Sequence, residues 1–210
     1  SMDGSCTYLH KLIDLKKAHN ANILLIIDDA HGIGALGAEG LGSLEQMQID
    51  RQHIDLLIGT LGKAFGSHGG FIAGSRWLID YLQQSVRSLL FSTNLPACIA
   101  AASKASLRLI QSVEGHALRI KLADNIRTFQ ALSQHHHLPL YQQDTNQSPI
   151  QLLVFDDEQK VSELFGQMLI QKQLVGRILY PTVAKAAPRI RISLNANHTR
   201  DDINLLCESL

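Results

Sequence analysis

The hydrophobic pattern predicts an α/β protein: part of a large, mainly parallel α/β domain, followed by a small α+β C-terminal domain. Two observations carry this. Through the first half of the chain, helix-period segments alternate with short, wholly aliphatic runs, as a parallel sheet covered by helices requires. After a long helical stretch the order changes to strand, helix, strand, strand, helix, which is that of a compact α+β unit. The predicted division is 1–112 for the part of the large domain and 113–210 for the linking helix and small domain.

In chain order, Leu9, Leu12, Ile13 and Leu15 make a helical stripe with Lys11, Lys16 and Lys17 on the other face. Residues 23–27 are all Ile or Leu and read as a strand buried on both sides, ending in Asp28-Asp29. A second buried strand is predicted at 54–58, a Gly-rich loop at 59–70 and a third strand at 71–73. Helical periodicity follows over 76–86, 99–110 and 113–132, with Pro96 placed where a helix starts. Residues 135–149 are polar and aperiodic, so a loop is predicted there. Beyond it come strands at 150–155, 175–179 and 189–194, a helix at 158–173 and a closing helix from Asp201.

Composition excludes several classes. The 210 residues carry 19 Lys+Arg against 19 Asp+Glu, so there is no cationic surplus for nucleic acid phosphates. The aliphatic run at 23–27 is far short of the ~20 residues a spanning helix needs, and no basic or apolar leader opens the chain. Cys6, Cys98 and Cys207 are odd in number and widely spaced, which argues against a disulfide framework and for a reducing, cytoplasmic setting. Cys98, among alanines, reads as a buried thiol. The run His135-His136-His137 lacks nearby carboxylates or cysteines, so no metal site is expected.

Two motifs stand where strands run out into loops, the place where ligands gather in open α/β sheets. The first is Asp28-Asp29-Ala30-His31-Gly32. An Asx turn cap would also explain Asp28. The second runs from Gly59 to Gly70 and holds Thr60 and Lys63. A phosphate-binding P-loop fails there on spacing, because Ala64 follows Lys63 where Ser or Thr is required and position 57 is Leu. A solvated lysine would explain Lys63 taken alone. Together the motifs supply what pyridoxal 5'-phosphate needs, a lysine for the aldehyde and an acid for the pyridine nitrogen. Asp28 would face that nitrogen, His31 the phenolic oxygen and Thr60 the phosphate.

The motifs extend further along the chain. Ser1-Met2-Asp3-Gly4, then 28–37 (Asp-Asp-Ala-His-Gly-Ile-Gly-Ala-Leu-Gly), 59–66 (Gly-Thr-Leu-Gly-Lys-Ala-Phe-Gly), Phe91-Ser92-Thr93 and Arg189-Ile190-Arg191 resemble the α-oxoamine synthases, pyridoxal-phosphate-dependent transferases of fold type I. Asp-Asp-Ala-His-Gly resembles the branch that serves biotin biosynthesis. The resemblance implies that Lys63 holds the cofactor covalently, Asp28 pairs with the ring nitrogen, and His31 and Ser1 bond the phenolic oxygen. It further implies that Thr60 bonds the phosphate, that Ser92 and Thr93 reach the phosphate held in a partner subunit of a homodimer, and that Arg191 takes the substrate carboxylate. The implied reaction is a decarboxylative condensation of L-alanine with a pimeloyl thioester of CoA or acyl carrier protein.

The chain departs from the family pattern in two ways. It resembles a C-terminal portion, lacking the family's N-terminal half with its Gly-rich phosphate segment and ring-stacking His. Leu179 also stands where many members of the biotin branch have Arg. Two alternatives remain at this level: a sister synthase using glycine or serine, and a catalytically incomplete fragment or assembly subunit.

Overall fold

The computed structural model describes residues 2–19, 23–141 and 147–210. Its contacts divide the chain into two compact units. One is Thr7–Ala117; the other is Leu118–Leu210 with the N-terminal residues up to Cys6. The division falls inside helix Val113–His135. Ser1 and residues 142–146, within the predicted loop, lie outside the described residues.

The first unit is built on a three-stranded sheet, β1 (Ile26–Asp28), β2 (Leu56–Thr60) and β3 (Gly70–Gly74), in the order β1-β2-β3. β1 and β2 are parallel, with Asp28 opposite Ile58, whereas β3 returns antiparallel to β2. A short loop therefore suffices between β2 and β3. Helix α1 (Leu9–Ala18) presents Leu9 and Ile13 to a core with Leu25, Ile27, Leu44, Ile49 and Leu57. Lys16 and Lys17 occupy its last turn, where cations suit the helix dipole, and Lys16 pairs with Asp55. On this same sheet face a cavity of ≈ 700 Å³ is lined by Leu44, Leu57, Phe71 and Leu107.

The strand predicted at 23–27 is shifted and differently buried. It begins at Ile26, and Leu24 and Ile26 are 58% and 53% exposed, while the alternating Leu25 and Ile27 are buried. Leu24, Ile26 and Ile72 are exposed on a face whose Leu56 is buried, so this all-apolar run is enclosed on one side and only partly covered on the other. The second strand is likewise displaced from 54–58 to Leu56–Thr60.

After β3 the chain is helical: α2 (Ser43–Gln46) lies before β2, and α3 (Arg76–Ser85), α4 (Arg87–Leu90), α5 (Ala97–Ile110) and α6 (Val113–His135) follow β3. Helix α5 has no buried residue, and Cys98 on it is exposed, contrary to the buried thiol read from its alanine-rich surroundings. An apolar helix is covered only if some element packs on it, and composition cannot supply that element. Cys6 is partly exposed and Cys207 buried, with desolvation pushing the Cys207 thiol up to about 11. Because the thiolate is the nucleophile, Cys98 is expected to react first with a disulfide reagent and Cys207 only on unfolding, read by peptide mapping against time.

The second unit carries an antiparallel sheet of β4 (Ile150–Val154), β5 (Gly176–Ile178) and β6 (Arg189–Ser193), in the order β4-β6-β5. Ile190 and Ile192 of the central strand enter a core with Phe129, Leu153, Val161, Met168 and Ile203. Helix α7 (Glu158–Ile170) starts on the Asp157 cap, and α8 (Arg200–Ser209) starts on a Thr199–Asp202 capping box. Leu179 packs against the same core as a partly buried side chain. Among the described residues, no helix is long and apolar enough to cross a membrane.

Candidate active site

Parallel pairing of β1 and β2 opens their carboxyl ends on one edge, and adjacent strands stand only ~4.8 Å apart. Asp28 ends β1, while Thr60 ends β2 two residues beyond Ile58, its register partner. Asp28 is exposed, and its Oδ1 accepts from Ala30 N at 3.0 Å. The Asx turn anticipated from sequence is therefore present and engages one carboxylate oxygen.

Lys63 lies in the loop that leaves β2. Thr60 closes this loop: its Oγ1 donates to Gly69 O and accepts from Gly62 N, each at 3.2 Å. Ser67 N donates to Leu61 O, and Leu61 N to Gly69 O, both at 2.8 Å. From α5, Ser106 Oγ donates to Phe65 O at 2.6 Å and anchors the loop's middle. The loop is held by these bonds, and Lys63 O accepts from Gly66 N at 2.8 Å, yet the Lys63 side chain is exposed and its amine makes no hydrogen bond or ion pair among the described residues. A cofactor aldehyde has an amine to meet.

His31 follows Asp28 by three residues in the turn beyond β1. The buried acid of this segment is Asp29, which sequence reasoning passed over. Its Oδ2 accepts from Ser43 N at 2.7 Å; burial pushes its carboxyl above the usual carboxylate range, against the lowering effect of the Ser43 hydrogen bonds. Nothing in the sequence singled it out: only in the fold do Gly32 and Gly42 flank it, where a Cβ on either would lie 2.1 or 2.0 Å from an Asp29 oxygen. Ser92 and Thr93 are exposed just after α4, and Ser92 Oγ donates to Ser88 O. Ser1 falls outside the described residues.

Arg191 belongs to the second unit. It sits mid-strand in β6, the central strand, opposite Leu152 on one side and Gly176 on the other. It alternates with Ile190 and Ile192, so its side chain leaves the core-facing side. Its Nε is buried with no hydrogen-bond partner among the described residues. A buried donor left unpaired is costly, and a carboxylate would satisfy it in the two-pronged geometry a guanidinium favours. Among the described residues no three His, Cys, Asp or Glu side chains converge as metal ligands.

The whole chain, residues 1–210, matches the family model for aminotransferase class I and II. It is 41% identical over its full length to the 8-amino-7-oxononanoate synthase of Thioalkalivibrio sulfidiphilus, covering 52% of that protein, and 38% identical over its full length to that of Marinobacter nauticus, also covering 52%. The chain thus spans about half the length of the curated relatives it matches. Among solved structures, the 8-amino-7-oxononanoate synthase of Francisella tularensis superposes with a TM-score of 0.84 at 29% identity, over 99% of this chain and 58% of that one. The serine palmitoyltransferase of S. paucimobilis superposes with a TM-score of 0.90 over 100% of this chain and 51% of that one; at 23% identity it bears on the fold alone.

Proposed function

The chain belongs to the aminotransferase class I and II family, and from that premise we propose that it supplies part of a pyridoxal-phosphate-dependent 8-amino-7-oxononanoate synthase. The reaction is the decarboxylative condensation of L-alanine with a pimeloyl thioester of CoA or acyl carrier protein, releasing CO2 and free thiol, in biotin biosynthesis. Residues 1–112 form part of the cofactor-binding domain and 113–210 the linking helix and small domain. The working assembly is a cytoplasmic homodimer. The observation that carries this reading is the placement of Asp28 and the Thr60–Lys63 loop at the carboxyl ends of two adjacent parallel strands.

Pyridoxal phosphate, when bound, supplies an aldehyde that condenses with amines and a ring that takes up negative charge from the substrate Cα. The donor set here fits it, with an exposed acid, an amine without a partner among the described residues and a hydroxyl at one strand edge. Lys63 would hold the aldehyde and, as a free amine, would move the proton at the substrate Cα. Asp28 holds the proton on the pyridine nitrogen, since a carboxylate beside a cationic N–H favours the charged form. His31 and Ser1 hydrogen-bond the phenolic oxygen. Thr60 would orient the phosphate by turning its hydroxyl from Gly69 O, and Ser92, turned from Ser88 O, and Thr93 would reach the phosphate bound in the partner subunit. Arg191 binds the alanine carboxylate; Lys there would lose the bidentate geometry. Leu179, packed against the core, leaves the far carboxylate of pimelate to some other group.

The test is an absorbance scan of the 210-residue chain with pyridoxal phosphate, followed by titration with L-alanine, glycine and L-serine. A visible band that shifts with alanine at lower concentration than with the other two is the expected result. A shift led by glycine or serine reassigns the chain to a sister synthase. The exposed length of α5 favours a second reading, an assembly subunit silent in isolation. Absence of any band, with turnover restored by an added family N-terminal half, selects it.

A further inference from the structure

Residues 29–42 form a long, glycine-rich connection between β1 and α2, braced by two carboxylates, Asp29 at its start and Glu45 of α2. Glu45 holds the distal part, accepting from Glu39 N and Leu41 N at 2.9 Å each, while Gln46 Oε1 accepts from Gly37 N at 3.2 Å. Asp29 holds the proximal part. Its Oδ2 accepts from Ser43 N at 2.7 Å, and its backbone carbonyl accepts from Gly32 N and Ile33 N at 3.0 and 3.1 Å. Its own N–H donates to Ile58 O of β2 at 2.9 Å, which ties the brace to the sheet.

The carboxylate is wedged as well as bonded. It is 5% exposed, and its two oxygens fill the places that a Cβ on Gly32 and on Gly42 would take. Gly42 also has φ +89°, a conformation L side chains rarely adopt. A buried charge this enclosed is expensive, and its position adjoins both candidate groups: Asp28 precedes it, and His31 lies between it and Gly32. Within this segment the Asp29 carboxylate thus ties the turn bearing His31 to the start of α2, while Asp28 Oδ1, accepting from Ala30 N, holds the same turn to the end of β1.

We propose that Asp29 is a positioning residue: its buried carboxylate joins the turn 29–32 to the start of α2 and thereby sets the place of His31 beside Asp28 at the strand edge. Its value for cofactor binding rests on the function proposed above, in which His31 serves the phenolic oxygen. Its effect on His31 does not.

The experiment compares wild type, Asp29→Ala, Asp29→Asn, Glu45→Gln, His31→Ala and the Asp29→Ala/His31→Ala double variant. The readouts are the His31 ring signals in 15N–1H NMR without cofactor, and the absorbance maximum and half-saturation with pyridoxal phosphate. Asp29→Ala is expected to displace the His31 signals and to raise half-saturation about tenfold, the scale of losing a buried hydrogen bond to a charged group. Asp29→Asn, with a carbonyl left for Ser43 N–H, restores most of both. Glu45→Gln, acting at the distal brace, leaves the His31 signals in place. In the double variant the absorbance change is that of His31→Ala alone, because residues acting through one another are not additive.

Unmoved His31 signals in folded Asp29→Ala overturn the proposal. So does an equal displacement in Glu45→Gln, or strict additivity in the double variant. Should Asp29→Ala fail to fold, Asp29→Leu removes the acceptor for Ser43 N–H while keeping most of the side-chain volume. If wild type gives no absorbance band, the cofactor reading fails on this chain while the NMR comparison still decides the role of Asp29.

Discussion

Lys63→Ala removes the visible absorbance that pyridoxal phosphate acquires on the chain, at every cofactor concentration, while the thermal unfolding midpoint stays within about a degree or two of wild type. The separation follows from where the side chain stands. Lys63 is exposed, pairs with nothing among the described residues, and projects from a loop whose shape is held by others, namely Thr60, Ser67 and Ser106. Truncating it costs no core contact and leaves no buried partner unsatisfied, so stability has little to lose. The covalent attachment has no substitute, because it requires a primary amine and no hydroxyl or carboxylate in the loop can make the same bond. Lys63→Arg is a sharper companion: it keeps the charge and is equally silent in the scan. A band that survives in either variant would place the attachment on another amine and remove the central residue of the proposed site.

The second large effect is on stability. Phe129→Ala is expected to cost ~3–5 kcal/mol, the range for emptying a fully enclosed aromatic site. Phe129 is 0% exposed on α6 and shares its core with Leu153, Ile190 and Val161, also 0% exposed. Neighbours held in a β-sheet cannot collapse into the space, so most of the transfer and cavity terms remain. A domain is stable by only ~5–15 kcal/mol, so this one change consumes a large share of it. Urea titration followed by far-ultraviolet circular dichroism reads it as a lower midpoint at an unchanged slope. A midpoint shift worth under ~1 kcal/mol would mean that the core around Phe129 is looser than its burial shows.

Alternation of helical stripes and aliphatic runs placed α1, the parallel pair β1 and β2, and the strand–helix–strand order of the second unit, because side-chain period is a local property of the chain. The shifted start of β1 at Ile26 shows the usual weakness, since periodicity marks an element without marking its ends. The candidate site was legible because its chemistry depends on rare residue types at strand ends. Asp28, His31, Thr60 and Lys63 stand out as candidates by type and spacing, whereas Arg191 enters only through the family resemblance.

Burial was not legible in the same way. The run at 23–27 and the alanines around Cys98 have the composition of buried segments, yet Leu24, Ile26 and Cys98 are exposed, because burial belongs to the element that covers a side chain. The difference between two adjacent aspartates was equally hidden. Asp28 faces outward and Asp29 inward because successive residues leaving a strand point to opposite sides. Sequence by itself determined which elements form and which reactive groups the chain carries, both set by local pattern and residue chemistry. Only the tertiary structure decided that Asp29 is the enclosed carboxylate, that Gly32 and Gly42 make room for it, and that Arg191 keeps a buried donor unpartnered among the described residues, because each depends on atoms brought together from distant parts of the chain.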